Sequence, residues 1–120
     1  MTRKDHAPLG VPFHLGGHIT YADGSVISKT LIDKGIGNIT LFSFDRGQGL
    51  SEHTSPFDAV VYILDGSAQI TIDKETRTVQ AGEMIIMPAH IPHALHGEEK
   101  FKMLLTMIRK KVAPQPPKES

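Results

Sequence analysis

Between residues 26 and 108 the chain is cut into short apolar and β-branched runs by closely spaced turn signals, a rhythm that confines it to an all-β architecture. The runs fall at 26–32, 38–44, 59–64, 68–72, 77–79, 84–87, 93–95 and 101–108. Asp23-Gly24, Gly47-Gln48-Gly49, Asp65-Gly66, Asp73-Lys74 and Ala81-Gly82 lie between them. Short strands at this spacing without long helical periodicity predict an antiparallel sandwich or barrel. The run 101–108 fits a helix on periodicity alone. Its place at the end of a strand series, and its β-branched Thr106 and Ile108, favour a strand.

Length and composition narrow the function classes. At 120 residues the chain is one domain able to bury a single core. Residues 1–17 read as an irregular arm, 18–110 as the β domain, and 111–120, with three prolines, as a disordered tail. Thirteen Lys and Arg balance thirteen Asp and Glu, and aromatics make up only 6% of the chain, so nothing points to nucleic acid. The absence of cysteine excludes disulfides, thiolate metal sites and a cysteine nucleophile. No apolar run approaches the ~20 residues of a membrane span, and the polar N-terminus does not read as a signal peptide. A cytoplasmic protein is the expectation. Any chemistry falls to the seven histidines and scattered carboxylates.

Two stretches concentrate that chemistry. Gly47 is followed by five residues and His53, with Gly66 closing the segment; Gly82 is followed by five residues, Pro88, His90 and His93. In order and spacing these resemble the two motifs of the cupin superfamily, over roughly residues 38–108. The resemblance implies a double-stranded β-helix, a jelly-roll barrel, with a metal or small ligand held inside. It also implies a homodimer. The usual ligand set of three histidines and a glutamate is eroded here. Ser55 stands where the second histidine falls, Ala59 where the glutamate falls, His90 where the second motif has glycine, and Gly97 where an asparagine often follows. The chain is thus similar to small stand-alone cupins with a degenerate first motif.

Strand alternation puts His53 and Ser55 on one face, with Ala59, Val61 and Ile63 following inward. A bulge at Pro56 would shift that parity and turn Asp58 inward instead. The candidate metal ligands are therefore His53 and His93, with His90 or Asp58 completing the shell. Ser55 and Met103 are candidate contacts for a bound organic ligand. Glu52 should point away from His53, and His6, His14, His18 and His96 read as surface residues. Phe101, Met103, Leu105 and Met107 should share the inner face of the last strand. Met84–Met87 is apolar on both faces, as for a strand buried on both sides, and this too suggests a partner sheet.

Two functions from different classes remain open. One is a metal-dependent enzyme acting on a small organic molecule, such as a dioxygenase, isomerase or decarboxylase, using divalent Fe, Mn, Ni or Zn. The other is a metal-free module that binds or senses a small ligand between methionine-rich walls. No serine has a nucleophile-elbow context.

Overall fold

The computed structural model describes residues 8–111, so His6 and the tail from Val112 onward lie outside the described residues. Nine strands form among them: β1 (Val26–Lys34), β2 (Gly37–Phe44), β3 (Gly49–His53), β4 (Asp58–Asp65), β5 (Ser67–Ile72), β6 (Glu75–Gln80), β7 (Met84–Met87), β8 (His93–His96) and β9 (Phe101–Ile108). The expected runs are all present, and β3 is an additional strand. They build two antiparallel sheets, a five-stranded one in the order β1-β2-β9-β4-β7 and a four-stranded one in the order β3-β8-β5-β6. This is the jelly-roll arrangement. No helix among the described residues is long and apolar enough to cross a membrane.

The turns form where backbone freedom is available. Gly47, Gly66 and Gly82, the glycines that open or close the two motifs, all have positive φ, at 76, 75 and 89°. Gly66 has a second constraint, because a Cβ there would lie 2.5 Å from the Lys100 carbonyl oxygen. The β4–β5 connection therefore accepts only glycine at its tight point.

The core fills the space between the sheets. Phe44, Val61, Ile63, Ile70, Phe101 and Met103 are fully buried within it. Phe101 stacks on Phe44 with ring centroids 4.4 Å apart, and Phe42 stacks on Phe44 at 5.7 Å. These aromatics close one end of the sandwich. Following β9 away from Phe101 leads through Met103 and Leu105 to Met107, along the inner face.

The two outer faces differ. On the four-stranded sheet the outward positions Gln69, Thr71, Thr76, Thr78 and His96 are polar. On the five-stranded sheet a cross-strand row runs Ile86, Val60, Thr106, Ile39, Ile32 from β7 to β1. Such a face departs from the usual polar exterior of an antiparallel sheet. Residues 8–25 lie over part of it. Lys102 donates to the Gly16 carbonyl at 2.6 Å, Lys29 to that of His18 at 2.8 Å, and Ser43 to that of Thr20 at 2.8 Å. Tyr21 donates its hydroxyl to Asp65 and sits beneath Lys100 and Lys102. Burial and this carboxylate push the Tyr21 phenol well above its ordinary value. Elsewhere the face is open. Met84 and Ile86 are each 60% exposed, which corrects the expectation that Met84–Met87 is buried on both sides.

Candidate functional site

The far end of the sandwich from the phenylalanines holds the two motif histidines. His53 ends β3 and His93 begins β8, and the two are register partners across the ladder. Their rings meet edge to face with centroids 4.5 Å apart. His93 is 4% exposed, whereas His53 stands at the open rim.

A bulge makes this pairing. Leu50 pairs with Leu95, and His53 with His93, so two residues of β3, Ser51 and Glu52, stand opposite one of β8, Ala94. Regular alternation from the inward Leu50 would bring Glu52 to the inner face. The extra residue sends Glu52 outward and His53 inward, a re-aiming that bulges commonly perform beside functional sites. Sequence reasoning has Ala59, Val61 and Ile63 facing inward if parity holds, with a bulge at Pro56 as the alternative. β4 alternates regularly with those three buried, and the bulge lies in β3 instead.

Both rings are held in one tautomer. His53 Nδ1 lies 2.7 Å from the Ser51 carbonyl oxygen and His93 Nδ1 3.1 Å from that of Ile91. A carbonyl oxygen can only accept, so each Nδ1 carries a proton, and in the neutral ring Nε2 keeps its lone pair. The bulge residue Ser51 thus supplies the carbonyl that orients His53. Burial holds the His93 imidazole below its ordinary pKa, with the neighbouring His53 acting in the same direction and the bond to the Ile91 carbonyl opposing both.

The remaining candidates are not brought to this pair. Asp58 is exposed on the outer side, where its Oδ1 accepts the Ala89 N–H at 2.9 Å. His90 is exposed as well, and its N–H donates to the Ser55 carbonyl at 2.8 Å. Asp58 and His90 line a separate surface depression with Pro56, Pro88 and Arg109. Ser55 Oγ accepts the Phe57 N–H at 3.0 Å and stabilises the turn ahead of β4. Met103 does line the histidine cavity. His96 and His14 are exposed, and His18 packs against Phe13.

The cavity between the rings and the opposite sheet is small, about 30 Å³. Its other walls are Leu50, Ala59, Met87, Leu95, Met103, Leu105 and Met107. Sequence reasoning placed Met107 on the inner face of the last strand but missed Met87, and missed that the two flank Ala59. Their signal was register: both pair with Ala59, one from each neighbouring strand.

A model of the cupin domain family matches residues 40–108, more than half of the chain. The chain belongs to the cupin family. A conserved protein of unknown function from Streptococcus pyogenes is 39% identical to this cupin, with a TM-score of 0.86 over 93% of this chain and 98% of the other. A cupin superfamily protein from Desulfitobacterium hafniense is 32% identical, with a TM-score of 0.81 over 86% of this chain and 94% of that one. An uncharacterised Streptomyces coelicolor protein is 30% identical over 59 residues, 49% of this chain; the chain spans only about half, 56%, of that relative's length. The family's usual four-ligand set for a divalent ion does not fit this cupin. No group of three or more His, Asp or Glu residues that could hold a metal ion occurs among the described residues, and the glutamate position is the buried Ala59.

Two outcomes follow from local geometry. His90 occupies the motif's glycine position with φ 67°, a left-handed conformation that costs a non-glycine residue about 1 kcal/mol. His90→Gly should therefore raise stability by roughly 0.5–1 kcal/mol, read by chemical denaturation. In metal-free protein, unfolding lets the His93 imidazole bind a proton near its ordinary pKa of ~6.5, whereas the folded state resists it. The unfolded state then holds more protons, so this contribution to stability falls as pH drops below about 6.5, until folded His93 protonates too. Denaturation midpoints from pH 7.5 to 5 should show that slope, and it should be reduced in His93→Asn.

Proposed function

We propose that this cupin is a binding protein whose centre is the His53–His93 pair, and that it captures a small electron-deficient ligand on the two free Nε2 atoms. The observation that carries this is the shared tautomer. Both imidazoles are tied at Nδ1 to backbone carbonyls and border one cavity. Tying one nitrogen to the backbone orients the other as an acceptor or ligand. The burial that keeps His93 neutral preserves that capacity in mildly acidic solution. A cavity of about 30 Å³ suits an ion or a very small molecule. Organic ligands of drug size occupy ~300 Å³ or more, and admitting one would require Leu50 and the methionines to move. The reading of a divalent-metal enzyme lacks its third and fourth donors among the described residues.

The test is long-range proton–nitrogen NMR of the histidine rings, followed by thermal-shift screening of ions and small molecules. Both rings should show protonated Nδ1 and bare Nε2 near pH 7.5. Any stabilising ligand should lose its effect in His53→Ala and His93→Ala. Nε2-protonated rings, or ligands that stabilise both variants as well as the wild type, would overturn the assignment.

The open face of the five-stranded sheet we assign to a second copy of this chain. Beyond the N-terminal arm it measures roughly 20 Å by 20 Å, the size of the largest, often functional, apolar patches of monomers and about half the area one partner contributes to a stable dimer. The arm carries further exposed apolar side chains, Leu9, Val11 and Phe13, that such a partner would help to cover. A broad flat apolar row is self-complementary about a two-fold axis. Light scattering should give a dimer for the wild type and a folded monomer for Ile86→Lys. A wild type that is monomeric at every concentration would exclude this use of the face.

A further inference from the structure

The two sheets bring different donors to one cavity. The four-stranded sheet contributes the row His53–His93. The five-stranded sheet contributes the row Met87–Ala59–Met107, with Ala59 in the middle strand. All five residues line the same cavity, joined by Met103. Ala59 occupies the position where the family's carboxylate falls, and its two cross-strand neighbours both carry thioethers. Three of the chain's five methionines thus face one small space, and no carboxylate or amide side chain lines it.

Resting on the binding reading above, we propose that the ligand is monovalent copper, held by Nε2 of His53 and His93 with a thioether from Met87 or Met107. Three features select it. Imidazole and thioether are soft or borderline donors that favour Cu(I), whereas Mn²⁺ and Mg²⁺ call for carboxylate and water. Cu(I) is satisfied by two or three such donors, while a structural or catalytic Zn²⁺ site fills four positions. The third feature is charge. Moving an ion out of water into a largely apolar site costs energy in proportion to the square of its charge, so a divalent ion is penalised roughly four times as heavily as a monovalent one. No anionic side chain lines this cavity to offset that cost. The volume, about 30 Å³, suits an ion with few bound waters. Of the two candidate donors, Met87 is buried in the core cluster and Met107 is half-buried against it.

Methionine also fills cores simply because it is adaptable, and the experiment separates the two roles. Chelator-stripped full-length protein is titrated anaerobically with Cu(I) against a chromophoric Cu(I) chelator, and with Zn²⁺ and Ni²⁺ against a divalent-ion indicator. The expected result is one Cu(I) per chain, bound more tightly than either divalent ion. His53→Ala and His93→Ala should each weaken it by about 100-fold or more, at least what loss of an outer-shell partner costs. Met87→Leu with Met107→Leu conserves volume and fold. That double variant should weaken Cu(I) measurably and remove the sulfur scatterer from the copper X-ray absorption spectrum. Ala59→Glu should shift preference toward Zn²⁺.

The inference fails if Zn²⁺ or Ni²⁺ binds as tightly as Cu(I). It fails equally if the copper shell contains only nitrogen and oxygen, or if the double methionine variant binds unchanged. Should Cu(I) not bind while another ligand occupies the histidine pair, copper is excluded and the binding centre stands. If both rings prove to be Nε2-protonated and no ligand perturbs them, both proposals fall together.

Discussion

Gly49→Ala should unfold the end of the barrel that carries the histidines. A Cβ at residue 49 would sit 2.2 Å from the Leu95 carbonyl oxygen and 2.6 Å from the His96 Cβ, well inside contact distance of backbone that cannot rotate away. Gly49 is the register partner of His96 and starts the β3–β8 ladder that ends in the His53–His93 pair. Relief requires β3 to lift off β8, and β3 has no other neighbour in its sheet. We expect a loss of about 3 kcal/mol, the upper part of the range for forced overpacking, visible as a lower denaturation midpoint. The same variant should lose ligand binding even though both imidazoles remain in the sequence. An unchanged midpoint would mean that β3 does not pair as described.

Phe101→Ala should cost about 3–5 kcal/mol, as large aromatic deletions from packed cores do. Phe101 is fully buried, stacks on Phe44 at 4.4 Å and opens β9, the strand that pairs with both β2 and β4. Its ring also fills the space beside Gly97, where a Cβ would meet it at 2.5 Å. Removing the ring leaves a void that none of these neighbours can fill without breaking a ladder. The site lies at the opposite end of β9, so a variant that remains folded at low temperature should still bind its ligand there. Loss of binding with an intact fold would show that the two ends of the sandwich are more tightly coupled than their separation implies.

The sequence carried the architecture because strand signals are local. Alternation in Ala59, Val61 and Ile63, and in Phe101 and Met103, reports burial directly, and Gly66 and Gly82 mark turns that need positive φ. His53 and His93 were likewise legible from their distance to those turns. The rest of the site depends on pairing between strands distant in sequence. That Met87 and Met107 flank Ala59 follows from the β7–β4–β9 register, which no local pattern encodes. The location of the bulge was hidden for a similar reason. Pro56 advertised one, but the extra residue sits in Leu50–His53, where no proline or glycine marks it. Asp58, by a parity shift at Pro56, and His90, by its place in a turn, looked able to complete the shell. Both are exposed, and Asp58 at the start of β4 accepts the Ala89 amide.

The extra residue in β3 has one more consequence. β3 is the edge of its sheet, and edges are where alternative registers compete most readily. If the strand paired evenly from Leu50 onward, Glu52 would stand opposite His93 in place of His53. The cavity would then offer an imidazole and a carboxylate, an anionic pair of the kind divalent ions prefer. Two adjacent letters of the sequence therefore encode two rival electronic characters for the same hollow, and the offset of one backbone unit decides which of them the barrel expresses.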